Sequence, residues 1–377
     1  MPVQTFTVPD YYPGFVCKAE NCRRNCCFGW HITVSVNDYF RLVGLECSPD
    51  LRSRLDRALH ILRDATPERY AEFSRTYTGE CPLIRPDGLC ALQRECGEDA
   101  LSSVCRYYPR SPRTLHGSEC SLSVTCEGVC ETLFAKKDKM RFIKRELEFK
   151  YDLPSARGDL VTRFYAPTRE LFIKLLQDRD HSIRERLCAC EEASRLVDTA
   201  FCSGDGQKIA GAINECAKIT PRCLPNVPDE RGFAAAKSML ERLAERYPIE
   251  NYVKNTAVTE YRDYAEMIKE FEKKFPDHAT MAEQVMVNHV FYESFPFADH
   301  PRATVYQAFA SLAALYAVWK TAAVCSCARS GGMDELVELT CDIFRMSENS
   351  NFNTLSLALV AERGRCKTED IIALCSV

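Results

Sequence analysis

Twelve of the chain's 22 cysteines fall within its first 130 residues, and their spacing is the first chemistry the sequence offers. Cys17, Cys22, Cys26 and Cys27 form a Cys-x4-Cys-x3-Cys-Cys run, followed at once by Gly29-Trp30-His31. Thiols return downstream in Cys81-Pro82, at Cys90, in Cys105-Arg106-Tyr107-Tyr108-Pro109-Arg110 and at Cys126. An apolar core needs no thiols so closely set. Local groups of this kind, completed by a remote cysteine, hold structural zinc and iron–sulfur clusters, because both favour thiolate over thiol. Cys22 and Cys26 stand one turn apart if helical and within reach of one ion in many loops, and Cys17 adds a third. Cys26 and Cys27 are adjacent, so their side chains diverge, and one of them serves better as a core or supporting group.

Thiols also serve as small buried hydrophobes. That reading suits Cys47, Cys96, Cys120, Cys130 and the scattered cysteines beyond Cys188. Cys188-x-Cys190 and Cys325-x-Cys327 fall in helical stretches, where residues two apart face different ways, and no site is assigned to them. Candidate metal ligands are therefore Cys17, Cys22, Cys26, Cys90 and Cys105, ahead of Cys27, Cys81 and Cys126. Zinc sites repeat Cys-x2-Cys pairs and recruit histidine, whereas this set has no such pair and only His31 nearby; the choice tilts toward an iron–sulfur cluster, with zinc as the alternative. Beside the thiols stand Trp30, Arg106, Tyr107, Tyr108 and Arg110. Arginine forks bind carboxylates and aromatic faces hold cations, but the same residues equally well fix loop carbonyls and fill core.

Other chemistries lack their signatures. The chain has no GxGxxG after a strand, no GxxxxGK[ST], no GxSxG and no HExxH, and its seven histidines are dispersed. No general base can be named. A net charge of -4 makes no case for nucleic-acid binding, and the basic stretch 136–150 is interrupted by acids, as on a solvated helix face. The opening MPVQTFTVPD has neither the basic nor the apolar region of a secretory signal. A cytoplasmic, reducing location is expected, in which 22 cysteines speak for metal or burial rather than disulfides. The longest uncharged stretch, 303–319, contains Thr304, Tyr306, Gln307 and Ser311. It falls short of a membrane span and reads as a buried core helix.

The elements that must position the thiols are short and mixed. Ile32, Val34 and Val36 alternate as a half-buried strand, after which Asn37 or Asp38 can cap a helix. Residues 39–62 carry helical periodicity around a break at Ser48-Pro49. Residues 77–92 read as two extended segments joined by the turn Arg85-Pro86-Asp87-Gly88, which sets Cys81 and Cys90 on opposite sides of one turn. A short helix over 92–105, interrupted at Gly97, delivers Cys105 and stops before Pro109. Residues 118–125 alternate again. From Cys126 the period becomes helical, and helices are expected over 129–149, 158–200 in pieces, 206–219, 232–247, 258–275, 281–294, 302–327, 333–346, 353–363 and 368–374. The expected fold is mainly α, a small mixed α/β cysteine-rich metal-binding domain over 1–130 followed by an all-helical domain over 131–377.

The motifs resemble those of the flagellin lysine N-methylase family. The resemblance rests on Tyr12, Phe15, Cys17, Cys22, Cys26-Cys27 and Gly29-Trp30, on Cys81-Pro82-Leu83, Cys90-Ala91-Leu92-Gln93, Cys105 through Arg110 and Cys126-Glu127, and on the aromatic segment 290–297 ending in Phe295-Pro296-Phe297. It covers most of the chain. The sequence departs from the family at Cys126-Glu127-Gly128, which lacks the proline after the cysteine, and the radical CxxxCxxC spacing is absent because Cys27 directly follows Cys26. The resemblance implies methyl transfer from S-adenosylmethionine to lysines of flagellin, with a four-iron four-sulfur cluster on the N-terminal cysteines. Arg106, Arg110, Trp30 and Tyr108 are then the candidates for holding the methyl donor. The cysteine pattern is also similar to that of iron- or zinc-chelating domains, which implies as an alternative a non-catalytic metal-binding or redox-sensing protein.

Overall fold

A computed structural model describes residues 3–23, 25–28, 32–149, 158–222, 228–245, 247, 249–298, 302–348, 352–360 and 367–377. Trp30, His31 and the expected helix end at 361–363 lie outside the described residues. The fold is mainly α, with a small sheet-containing N-terminal region that leads into a helical part.

Two sheets organise the N-terminal third. In the first, β5 (Arg110–Arg113), β6 (Glu119–Leu122), β1 (Gln4–Pro9) and β7 (Phe142–Leu147) lie in that order, with β1 parallel to β6 and antiparallel to β7. Phe6 and Val8 alternate inward along β1 and are fully buried, as the two-residue period of a strand requires. The second sheet sets β4 (Ala71–Phe73) between β2 (Ile32–Val34) and β3 (Leu59–Ile61), both antiparallel to it. Over that sheet pack the helices Val36–Val43 and Pro49–Ala58, capped by the Ser35 and Ser48 side chains. Ser35, not Asn37 or Asp38, caps the first of them. Asp38 is buried and instead accepts from the Ser103 amide at 2.9 Å and from Arg41 at 2.8 Å.

The buried side chains form two cores. The smaller, from Ile32 to Leu101, gathers Leu42, Leu51, Leu55, Phe73, Leu83 and Leu92, and several thiols pack on it. The larger joins the first sheet to the helical part, so that Phe6, Val8, Tyr12 and Leu122 share one interior with the helices. The helix Val305–Cys327 runs through it, buried on nearly every side and opened by a Thr304–Gln307 capping box. It is long and apolar enough to cross a membrane, yet its apolar window is enclosed by protein. That is the core helix expected for this stretch.

One local expectation fails for a physical reason. The 129–149 stretch is not one helix: Glu127–Ala135 is helical and Phe142–Leu147 is β7. Its Lys, Arg, Glu and Leu are good helix formers, but tertiary context overrides propensity, and the open edge of β1, paired here over six residues, decides the outcome. The expected 258–275 helix forms as Tyr261–Lys274, and a further short helix that the periodicity did not single out, Glu250–Ala257, precedes it. Around 85–88 the turn forms as expected, with the Gly88 amide donating to Arg85 O at 2.9 Å and Gly88 at a φ of 77°, a conformation glycine adopts without strain. The flanking extended segments shrink to the single bridge Ile84–Cys90.

Candidate functional site

The Cys17–Phe28 segment has little regular structure and is held by charge. Lys18 bonds to the buried Glu127 and, at 2.9 Å, to Glu131, while Arg23 reaches Glu131 at 3.1 Å and Asp334 at 3.2 Å. Arg345, itself buried, donates to Phe28 O at 2.8 Å and to Thr125 O at 3.1 Å. The Cys81 amide donates to Cys27 O at 2.8 Å, so the two halves of the cysteine pattern are stitched through their backbones. Cys90 enters from the far side of the 85–88 turn, and Cys105 from the short helix Ser103–Tyr107, whose cap Ser102 accepts from the Cys105 amide.

These constraints bring Cys26, Cys27, Cys81, Cys90 and Cys105 around one cavity of about 60 Å³, closed by Ile32, Phe73, Leu83, Leu92 and Tyr108. The donor set is entirely sulfur. Among the described residues no three thiols, imidazoles or carboxylates converge closely enough to hold one ion, so the five thiols surround a volume rather than a point. The Cys27 thiol bonds to Cys26 and lowers the Cys26 pKa to about 7, while Cys27 itself is pushed up by the same bond and by burial. Burial raises Cys81 to about 11 and Cys105 to about 12, and it raises Cys90 as well. Thiols of this kind are protonated at neutral pH and become thiolates only when a cation compensates the lost proton.

Three of the eight candidate cysteines stand apart from that cavity. Cys17 is exposed, its Sγ accepting from the Ala19 amide at 3.4 Å. Cys22, pushed up to about 11 by burial and then by Glu127, faces Cys17 and Lys18. Cys126 packs on the larger core near Cys341, and burial raises it to about 12.

Tyr108 also walls a second, larger space, a cleft of about 620 Å³ between the small sheet domain, β5 and the helical part. Tyr107, Tyr292, Asp38, Glu68 and Glu348 line it, and Arg110 is the one basic residue on its described walls. Arg110 lies over the Phe15 ring at 5.5 Å and the Tyr12 ring at 6.0 Å. Tyr108 exchanges a 2.8 Å hydrogen bond with Thr125. Arg106 is directed elsewhere, onto Asp99 at 2.9 Å and Glu98 O at 3.0 Å. Glu348 accepts from Ser123 through Oε2, and its Oε1 is enclosed with no hydrogen-bond donor among the described residues. Burial, then the nearby Glu293 carboxylate, raises Glu348 to about 8.

The C-terminal domain of the FliB lysine N-methylases matches residues 169–374, more than half of the chain. The chain belongs to that family. It is also 29% identical over 146 residues to the "Lysine-N-methylase" proteins of Salmonella typhimurium and Salmonella choleraesuis, a stretch that covers 38% of this chain and 36% of each of them. Over 138 residues it is 28% identical to the "Flagellar biosynthetic protein FliU" of Salmonella muenchen, covering 36% of this chain and 80% of that protein. The chain thus spans about a third of the length of the curated lysine-N-methylases it matches. No solved structure matches it. The family match falls on the helical part, which supplies Tyr292, Glu348 and Arg345 to the cleft and to the clasp on the cysteine loop.

Residue spacing did not point to Glu348, Tyr292, Ser123 or Thr125. Ser123 and Glu348 lie 225 residues apart, and no local pattern links them. The only sequence signal was the aromatic density of 290–297. Most of that segment is core, as its composition suggests, with Phe291, Phe295 and Phe297 buried and Tyr292 alone on the cleft.

Proposed function

We propose that this chain is an S-adenosylmethionine-dependent protein lysine N-methylase acting on flagellin, with a four-iron four-sulfur cluster held by thiolates drawn from Cys26, Cys27, Cys81, Cys90 and Cys105. The observation that carries the reading is the shared wall at Tyr108, where an all-thiol cavity adjoins an acidic, tyrosine-lined cleft. The printed names of the relatives, lysine-N-methylase and flagellar biosynthetic protein, favour a lysine and a flagellar substrate. Five sulfurs spread around a cavity suit a polynuclear group better than a single zinc ion, which would need them to converge. Held by three of these thiolates, such a cluster would keep one iron without a cysteine and would supply there a site for the amino and carboxylate groups of the methyl donor.

The chain's own residues do the rest. Tyr107, Tyr108 and Tyr292 offer ring faces to cations, and both the acceptor ammonium and the donor sulfonium are cations. Arg110, the single basic group on the described walls, is placed to fork onto the donor carboxylate. A lysine ammonium must lose its proton before its nitrogen attacks. The carboxyl of Glu348, on the cleft wall, is the acceptor, and a pKa near 8 is matched to that transfer near neutral pH. Seclusion in the cleft lowers the lysine pKa and eases the same step.

The test is incubation of anaerobically purified protein with flagellin, methyl-labelled S-adenosylmethionine and a reductant, with iron and acid-labile sulfide measured on the same sample. Label on flagellin lysines is expected. An intact iron–sulfur centre without label would leave the thiols as a staple and overturn the enzymatic reading. A colourless protein with stoichiometric zinc would overturn the cluster.

A further inference from the structure

A second cleft of about 620 Å³ lies elsewhere in the helical part, among the helices Ile183–Cys202, Tyr261–Lys274 and Val305–Cys327. It shares no lining residue with the Tyr108 cleft. On its wall stands Lys320, only 5% exposed. The other buried cations have partners: Arg169 forks onto Glu119, Arg186 bonds Glu283 at 2.8 Å, and Arg345 bonds two carbonyls. Lys320 has no hydrogen bond and no ion pair within 4.0 Å among the described residues; the Phe271 ring face lies 5.0 Å from its Nζ, and Glu272 on the same cleft is the acid whose charge it feels. One turn earlier on the same face, Tyr316 is 2% exposed and its hydroxyl likewise has no hydrogen-bond partner among the described residues.

Both side chains are buried along their length and bring their polar ends to the cleft without a hydrogen-bond partner among the described residues, where a ligand can meet them. Here both line one cleft, which Arg184, Arg262 and Lys269 also line. Of the acids on its walls, Glu185 is engaged by the Ser182 cap, Glu272 lies 3.6 Å from His278 Nε2, and Glu266 is the third. We infer that this cleft binds a small organic molecule through an oxyanion group, a carboxylate or a phosphate, seated between Lys320 Nζ and the Tyr316 hydroxyl. With Lys320 the four lysine and arginine side chains on the walls outnumber the three glutamates, which favours the same sign of ligand. Such a group would accept from both donors at once, and the cleft has room for an organic body beyond it. Burial, which lowers the Lys320 pKa to about 8 in the empty cleft, would act in reverse once an anion is seated, because the ion pair favours the ammonium.

The test is thermal unfolding of the full chain in citrate or inorganic phosphate, each against sodium chloride at matched ionic strength. The wild type is expected to gain melting temperature with at least one anion, and the one that acts identifies the group as carboxylate or phosphate. Lys320→Met should fold, because it removes an unpaired buried charge, and should lose the shift. Tyr316→Phe, which keeps the packing, should weaken the apparent affinity by about tenfold and decides the matter if Lys320→Met does not fold. Equal shifts in wild type and variants, or no shift in the wild type with either anion, would overturn the inference. No methyl transfer is read, so the outcome is independent of the methylase reading.

Discussion

At the scale of single residues, the side chain that most sharpens the chemistry is Glu348. Its pKa is raised from 4.5 to about 8 by burial and by Glu293. Between those values the native state holds a proton that the unfolded chain has released, so stability falls as pH rises across that window, and the penalty is complete above pH 8. Glu348→Gln removes it. The variant should be more stable than wild type above pH 8 by about 1–3 kcal/mol, allowing for partial exposure of the group, and nearly equal to it below pH 4.5. Methyl transfer should fall by about 10²–10⁴ in the same variant. Melting curves across pH, paired with label transfer, check both; a variant that is stabilised and fully active would remove Glu348 from the mechanism. The thiols separate in the same way. Cys81→Ser and Cys105→Ser should lose most bound iron, whereas Cys17→Ser, altered on an exposed loop, should keep it. Iron and sulfide quantitation distinguishes them.

At the scale of elements, the cysteine loop depends on a helix more than 300 residues away in sequence. Arg345, near the end of Met333–Glu348, holds the Phe28 and Thr125 carbonyls together. Replacing it strands two acceptors, each worth about 1–3 kcal/mol when left unpaired and buried. Arg345→Met should therefore lower iron content while circular dichroism stays helical; unchanged iron would mean that the Lys18 and Arg23 ion pairs hold the loop alone. The turn at 85–88 and the cap at Ser102 are local devices, and short-range chemistry is enough to form them. The strand β7 is not: it exists because β1 has an edge to cover.

For the whole molecule, the packing of helix on helix is ionic as well as apolar. Glu283 is fully buried in the helix His278–Tyr292 and accepts from Arg186 at 2.8 Å and from Arg179 at 2.8–3.1 Å. It joins that helix to Ile183–Cys202 and to the segment before it. Glu283→Gln leaves two cations underpaired, one of them buried, and should destabilise the fold by about 3–5 kcal/mol. Chemical denaturation measures this, and a loss under 1 kcal/mol would show that the pair is replaceable by packing. The two cores explain why so local a change would reach the cleft. The small core carries the thiols and the large one carries Tyr292 and Glu348, and the cleft lies where they meet.

The sequence by itself determined the fold class, the buried core helix, the turn that separates Cys81 from Cys90 and the return of Cys81, Cys90 and Cys105 to the N-terminal run, because periodicity, proline and glycine chemistry and thiol spacing act over short distances. It also carried the family resemblance. Only the tertiary structure decided which thiols share a cavity, drawing in Cys27 and Cys81 and leaving out Cys17, Cys22 and Cys126. It decided as well that Arg110 faces the cleft while Arg106 ties down its own loop, and that Glu348 meets Ser123 across 225 residues. Which side chains converge depends on how two cores dock, and docking is fixed by packing and long-range ion pairs that leave no spacing in the chain.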